Sequence, residues 1–377
     1  MKRPRPGSKE IENNGNFDGS WTERAFIGLM ETSDPASNIW EDKGFVVCSA
    51  SDKGKTDYGR SSINDWEGYF KINAIDPTYI ITENGEHWLI YGSWHSGIAA
   101  LQVNPEDGKP LNALGNPWDI TGEDNSGYGK IIATRGTSRW QASEGPEVIY
   151  RDGYYYLFLA YGSLSVEYNT RVCRSKNIDG PYVDIHGNSA MGSAQLYPIL
   201  TAPYRFDNSY GWVGISHCGI FDDGAGNWFY TSQGRFPVNV GGNEYSNAIM
   251  MGHVRSIRWD ANGWPLVMPE RYGAVPQAPI TENEIAGDWE HLALTTSTGT
   301  QRTSETMTYD LGTHKITSGS WKNATWTFDA ATQTITTSAG VVLYLQREVD
   351  WEASPRTHTI VYAAQGNQKT YWGKKLQ

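Results

Sequence analysis

The sequence predicts an all-β protein, a β-propeller followed by a small C-terminal β-barrel or sandwich, and three observations predict it. One hairpin pattern occurs three times, its interval suits a four-stranded propeller blade, and beyond about residue 280 the chain turns to short Thr-rich strands between Gly, Asn and Asp turns.

The repeat comes first, because a missed repeat mis-assigns the whole fold. DPTYIITENGEHWLIYGS starts at Asp76, EGPEVIYRDGYYYLFLAYGS at Glu144 and HCGIFDDGAGNWFYTSQGR at His217. Each copy runs an apolar strand into a tight turn at Gly85, Gly153 or Gly226, then into an aromatic-rich strand. Nine residues separate Asp76 from Gly85, Glu144 from Gly153 and His217 from Gly226. The copies start 68 and 73 residues apart, room for one blade each, and TRVCRSKNIDGPYVDI and AIMMGHVRSIRWDANGWPLVM supply further strands after the second and third. The innermost strand of a blade lines the central channel, so Asp76, Glu144 and His217 are expected to share one cavity. Two carboxylates across a sugar-sized gap are what glycosidic cleavage requires. The same three positions would equally serve as turn-capping polar residues repeated by descent.

Composition narrows the partners. A chain of 377 residues, 38% hydrophobic and 19% charged, can bury a large domain and a small one. Its net charge of -11 argues against nucleic acid and acidic glycans and favours a neutral substrate. The 16 Trp and 22 Tyr suit sugar rings, although packing between sheets accounts for most of them. Cys48, Cys173 and Cys218 are too few for a disulfide framework and lack metal-ligand spacing. No apolar run approaches the roughly 18 residues of a membrane span, and MKRPRPGSKE has no hydrophobic stretch behind it, so a chain outside the membrane and without an export signal is expected.

NAIDPTYIITENGEHWLIYGSWHSGI and EGPEVIYRDGYYYLFLAYGSLSVEYNTRVCRSKNIDGPYVD resemble the arabinanases of glycoside hydrolase family 43, a resemblance that runs from about residue 23 to residue 275. It implies a five-bladed propeller that inverts configuration, with an Asp base, a second Asp that tunes the acid's pKa, and a Glu acid. Asp76 matches the pKa-tuning aspartate and Glu144 the general acid. His217 matches a channel histidine of the last blade. Similar endo-acting enzymes hold calcium or a water cluster near the channel centre, and the match to that position is Gln233 in TSQGRFP, so Gln233 and His217 are the candidate metal residues and calcium the candidate cofactor. The resemblance also implies an extracellular or periplasmic location.

The family's base stands in an HDP-like motif, and nothing upstream of Asp76 matches it. ERAFIGLMETSDPASNIWEDKGFVVCSAS resembles the outer half of a second blade, so about three and a half blades and an N-terminally truncated propeller are expected. Asp34 reads as a loop acid, and Asp65 and Glu67 lie in a loop with nothing to place them opposite Glu144; no base is assigned. Trp94 and His95 could stack on an arabinofuranose or pack between blades. Asn169, Arg171 and Arg235 could contact substrate hydroxyls or serve the framework. The expected division is an irregular segment over 1–22, the propeller over 23–275, a linker over 276–284 and a barrel or sandwich over 285–377, whose Trp289, Trp321 and Trp372 either bind sugar or fill the core.

Three functions follow. The first is an inverting, internally cleaving hydrolase of 1,5-α-L-arabinan, or an inactive fragment of one. The second is an exo-acting arabinofuranosidase or xylosidase of the same fold, and the third a carbohydrate-binding propeller without catalysis. A monomer with an arabinan or arabino-oligosaccharide partner is expected.

Overall fold

A computed structural model describes residues 25–49, 72–94, 97–112, 114, 126–136, 143–207 and 209–377. The chain divides into two compact units, the first ending mainly at Leu159 and the second running mainly from Leu196 to Gln377.

In the first unit β1 (Phe26–Glu31) pairs antiparallel with β2 (Glu41–Cys48). A four-stranded antiparallel sheet follows, β3 (Thr78–Ile81), β4 (His87–Tyr91), β5 (Ile98–Val103) and β6 (Lys130–Ala133), in chain order. Leu89, Tyr91, Ala99, Leu101 and Val103 bury themselves with Val46, Val47 and Cys48 of β2, and this core fixes the strands' register. The β3–β4 turn needs Gly85, whose φ of +77° a side chain rarely adopts. Next come β7 (Ser143–Arg151), β8 (Tyr154–Tyr161) and β9 (Asn169–Ser175), a three-stranded sheet in that order, of which residues 160–172 belong to the second unit. Asp152 and Gly153 both have positive φ, 49° and 78°, the two-residue turn that matches strand twist.

The second unit carries β10 (Tyr204–Arg205) and another four-stranded meander of β11 (Val213–Asp222), β12 (Trp228–Arg235), β13 (Met250–Trp259) and β14 (Pro265–Val267). A short helix, α1 (Glu282–Ile285), opens with a capping box between Thr281 and Glu284. Beyond it lie β15 (Gly287–Leu294), β16 (Arg302–Thr303), β17 (Glu305–Asp310), β18 (Lys315–Ile316), β19 (Trp326–Asp329), β20 (Thr334–Thr337), β21 (Val342–Asp350), β22 (Thr357–Gly366) and β23 (Lys369–Lys375). Eight of these form one sheet in the order β18-β17-β15-β23-β22-β21-β20-β19, while β16 pairs with β10. A bridge between Lys315 and Thr325 joins the two ends of that sheet, so the C-terminal region is a barrel and not a sandwich. Trp289, Tyr309, Trp326, Leu343 and Tyr362 fill its interior. Trp372 points to the other face and packs with Tyr204, Leu292 and Leu266.

The chain is therefore all-β, blade-like antiparallel sheets followed by a barrel. Among the described residues no helix is long and apolar enough to cross a membrane.

Candidate active site

The repeat starts coincide with kinks in the backbone. Asp76 and His217 have φ of 55° and 57°, and in the second copy the left-handed residue is Gly145, at 55°, one position past Glu144. A left-handed backbone is strained at a non-glycine residue and collects at functional sites. Trp94, at the end of the β4 hairpin strand, is a third case at 53°.

These kinks gather a small set of side chains in the first unit. Glu144, on β7, is buried, with 9% of its surface exposed. Its Oε2 accepts a hydrogen bond from Ser93 Oγ at 3.0 Å and another from Trp94 Nε1 at 2.9 Å. The Trp94 backbone N–H donates to the Ser143 carbonyl at 2.9 Å, pinning the end of β4 to the start of β7. Asp76 Oδ2 accepts the Gly145 N–H at 3.2 Å, so the half-buried aspartate grips the chain immediately after Glu144. An indole N–H can only donate, so Glu144 Oε2 is the acceptor in that bond. A carboxyl oriented in this way can hand its proton to one defined place.

The second unit holds the other residues. His217 is exposed, with Nδ1 3.2 Å from the hydroxyl of buried Tyr168. Asn169 and Arg171 are 2% and 1% exposed, and their polar atoms serve the framework: Arg171 donates from Nε to Asn169 Oδ1 at 2.6 Å and from a terminal nitrogen to the Leu196 carbonyl at 2.8 Å. Gln233 Nε2 donates to the Gly214 carbonyl at 3.3 Å, and Arg235 donates to the Asn247 carbonyl at 2.9 Å. Behind them His253 packs edge-on to Trp212, 4.3 Å between ring centroids, and presses on Gly234, where a Cβ would lie 2.4 Å from the imidazole. Burial, aided by Arg255 and Arg271, lowers the His253 pKa to about 2, so this ring is a neutral wedge.

Gln233 and His217 offer one amide carbonyl and one imidazole. Calcium takes six to eight oxygens, so this donor set alone does not fit it and no chemical step is routed through an ion. His95, Asp65 and Glu67 lie outside the described residues. Asp34 caps a short turn, its Oδ1 accepting the Ala36 N–H at 3.0 Å. Sequence reasoning overlooked Ser93 and Tyr168; the Gly-Ser that closes the hairpin at Ser93 recurs at Ser163 and was the available signal.

Kinked blade strands, a buried carboxyl with aimed donors and an attached barrel describe a propeller-type glycosidase scaffold, and known proteins agree. Residues 29–265 match glycosyl hydrolases family 43, and residues 269–373 match its C-terminal lipocalin-like domain. The chain belongs to glycosyl hydrolase family 43. It is 30% identical over 240 residues to extracellular endo-alpha-(1->5)-L-arabinanase 2 of Bacillus subtilis, covering 58% of this chain and 46% of that one. An extracellular endo-alpha-(1->5)-L-arabinanase of Thermotoga petrophila is 31% identical over 239 residues, with the same coverage. This chain thus spans about half the length of these relatives. The crystal structure of endo-1,5-alpha-L-arabinanase from Thermotoga petrophila superposes with a TM-score of 0.74 and 25% identity, over 93% of this chain and 78% of that one.

Proposed function

We propose that this protein hydrolyses 1,5-α-L-arabinan at internal linkages with inversion, Glu144 acting as general acid. The observation that carries the reading is the Glu144 carboxyl, buried and oriented through Oε2 by Ser93 and Trp94 in a chain of family 43. The carboxyl so held is the proposed proton donor to the departing glycosidic oxygen. Asp76 is the positioning residue and pKa-tuning partner; through the Gly145 N–H it sets the backbone from which Glu144 projects. In an inverting reaction a second carboxylate activates water about 6.5–9.5 Å from the acid. That base is not assigned to any residue. Trp94 is the proposed substrate neighbour in the first unit; in the second unit, taken by itself, His217 and Arg235 are proposed sugar contacts and Asn169 and Arg171 their framework. An extracellular location accords with the names of the two relatives.

Incubation with debranched arabinan followed by product chromatography tests the reading. Mixed arabino-oligosaccharides are expected. Arabinose as the sole product would replace internal cleavage by exo action, and tight binding without any product would replace the hydrolase by a binding protein.

A further inference from the structure

The second unit contains a groove of about 670 Å³ that shares no residue with the candidate active site. Its floor is the start of β12 and the end of β13, where Trp228 and Trp259 meet nearly perpendicular, 5.5 Å between ring centroids. Tyr272, 41% exposed, stands edge-on to Phe229 beside them. The opposite wall comes from the 277–280 strap and from the barrel residues Ala330, Ala331, Gln333 and Gln346.

This wall is built before any ligand arrives. Gln277 donates to the carbonyls of Val275 and Arg347 at 2.7 and 2.9 Å and accepts the Arg347 N–H at 3.1 Å. Gln333 accepts the Ile280 N–H at 2.6 Å and donates back to the Ile280 carbonyl at 3.2 Å. The turn that presents Trp228 is held by Asp223, which accepts from Ala225 N at 2.8 Å and from Asn227 Nδ2 at 2.7 Å. A preorganised wall spares the ordering cost of binding.

The lining selects the ligand class. Among the described residues that line it, Arg258 is the one charged side chain and none is a carboxylate. Arg258 is already committed, donating to the Thr332 carbonyl at 3.1 Å with its guanidinium 5.5 Å from the centre of the Tyr344 ring. Half-buried aromatic faces among amides and small side chains match a neutral sugar, which presents C–H faces and hydroxyls together. We propose that this groove is a second carbohydrate-binding site, taking a stretch of neutral α-1,5-arabinofuranosyl chain and holding the polymer to the enzyme. The identity of the chain rests on the functional reading above, while the groove rests on its own residues.

Affinity electrophoresis of the full chain tests it, in native gels cast with linear 1,5-α-L-arabinan, xylan, galactan or no polysaccharide. Trp228→Ala removes one stacking face, and Ala331→Trp fills the groove from an exposed position without removing a packed ring, so misfolding of the first leaves the second decisive. Arabinan should retard the wild type, and both variants should bind about threefold to tenfold more weakly, Trp228→Ala through the loss of one aromatic contact and Ala331→Trp by blocking the groove, with arabinotriose hydrolysis unchanged. Equal retardation of wild type and both variants would overturn the groove while leaving the hydrolase intact. Retardation by xylan or galactan alone, lost in both variants, would overturn arabinan as the ligand. Absence of retardation in every gel, with arabinan still hydrolysed, would overturn the groove alone.

Discussion

Two buried carboxylate sites in this chain have different neighbours. Glu144 accepts from a hydroxyl and an indole N–H. At the barrel the partner is Lys374, 2% exposed at its side chain, whose Nζ lies 2.7 Å from Glu352, 2.9 Å from Asp350, 3.3 Å from Glu270 and 3.6 Å from Glu290. The ligand oxygens of Glu270, Asp350 and Glu352 fall within 4.8 Å of one another, a spacing that would suit a cation, and the ammonium already stands there. Burial, and then the neighbouring Glu352, raises the Glu270 pKa well above the usual carboxylate range. Burial alone would lower the Lys374 pKa, but the surrounding carboxylates outweigh it and raise it. A carboxylate locked to a buried ammonium is structural, because breaking the pair strands a charge. A carboxyl that accepts from a hydroxyl and an indole N–H is held in one orientation, which is what proton transfer needs.

The contrast can be broken at its strong end first. Lys374→Met leaves the acids without their cation and should cost about 3–5 kcal/mol in urea unfolding; a loss under about 1 kcal/mol would make the cluster no more than a surface pair. An intermediate effect belongs to the buried histidines. Burial, and to a lesser degree Lys369, lowers the His291 pKa to about 3, and His253 sits at about 2 against an ordinary 6.5. Between about pH 6.5 and 3 the unfolded chain binds protons at these rings and the folded chain does not, so the melting temperature should fall as the pH drops through that window. His291→Phe should flatten the decline measured by circular dichroism; parallel curves for wild type and variant would contradict the assignment. The smallest effect is expected at Ser93→Ala, which removes one of the two donors to Glu144 and should lower the arabinan rate about fivefold to tenfold, about 1 kcal/mol, with little change in melting temperature. A drop in stability without a drop in rate would move Ser93 from the site to the core.

Local chemistry made much of the fold legible. Turn glycines at 85, 153 and 226 announce hairpins because tight turns need positive φ, and the aromatic residues beside them favour strands. Three features were beyond reach because they depend on long-range pairing. Barrel closure rests on the Lys315–Thr325 bridge, and a Thr-rich run of short strands suits a sandwich equally well. The Lys374 cluster collects residues spread from 270 to 374, each an ordinary charge in its own neighbourhood. Equal spacing singled out Asp76, Glu144 and His217, but not that Gly145, one residue past Glu144, takes the left-handed position in the second copy. At the site, Glu144 and Asp76 were legible from the repeat, whereas the donors that orient Glu144 were not; Ser93 is a commonplace residue until the end of β4 is folded against β7.

Leaving-group dependence tests the central claim most directly, through the rates of wild type and Glu144→Gln on linear 1,5-α-L-arabinan and on a 2,4-dinitrophenyl arabinobioside. Dinitrophenolate departs without protonation, whereas an alkoxide of the polymer does not. If Glu144 is the general acid, Glu144→Gln should lose about 10²–10⁴-fold on arabinan and little on the aryl glycoside. Equal losses on both substrates, or none on arabinan, would contradict it.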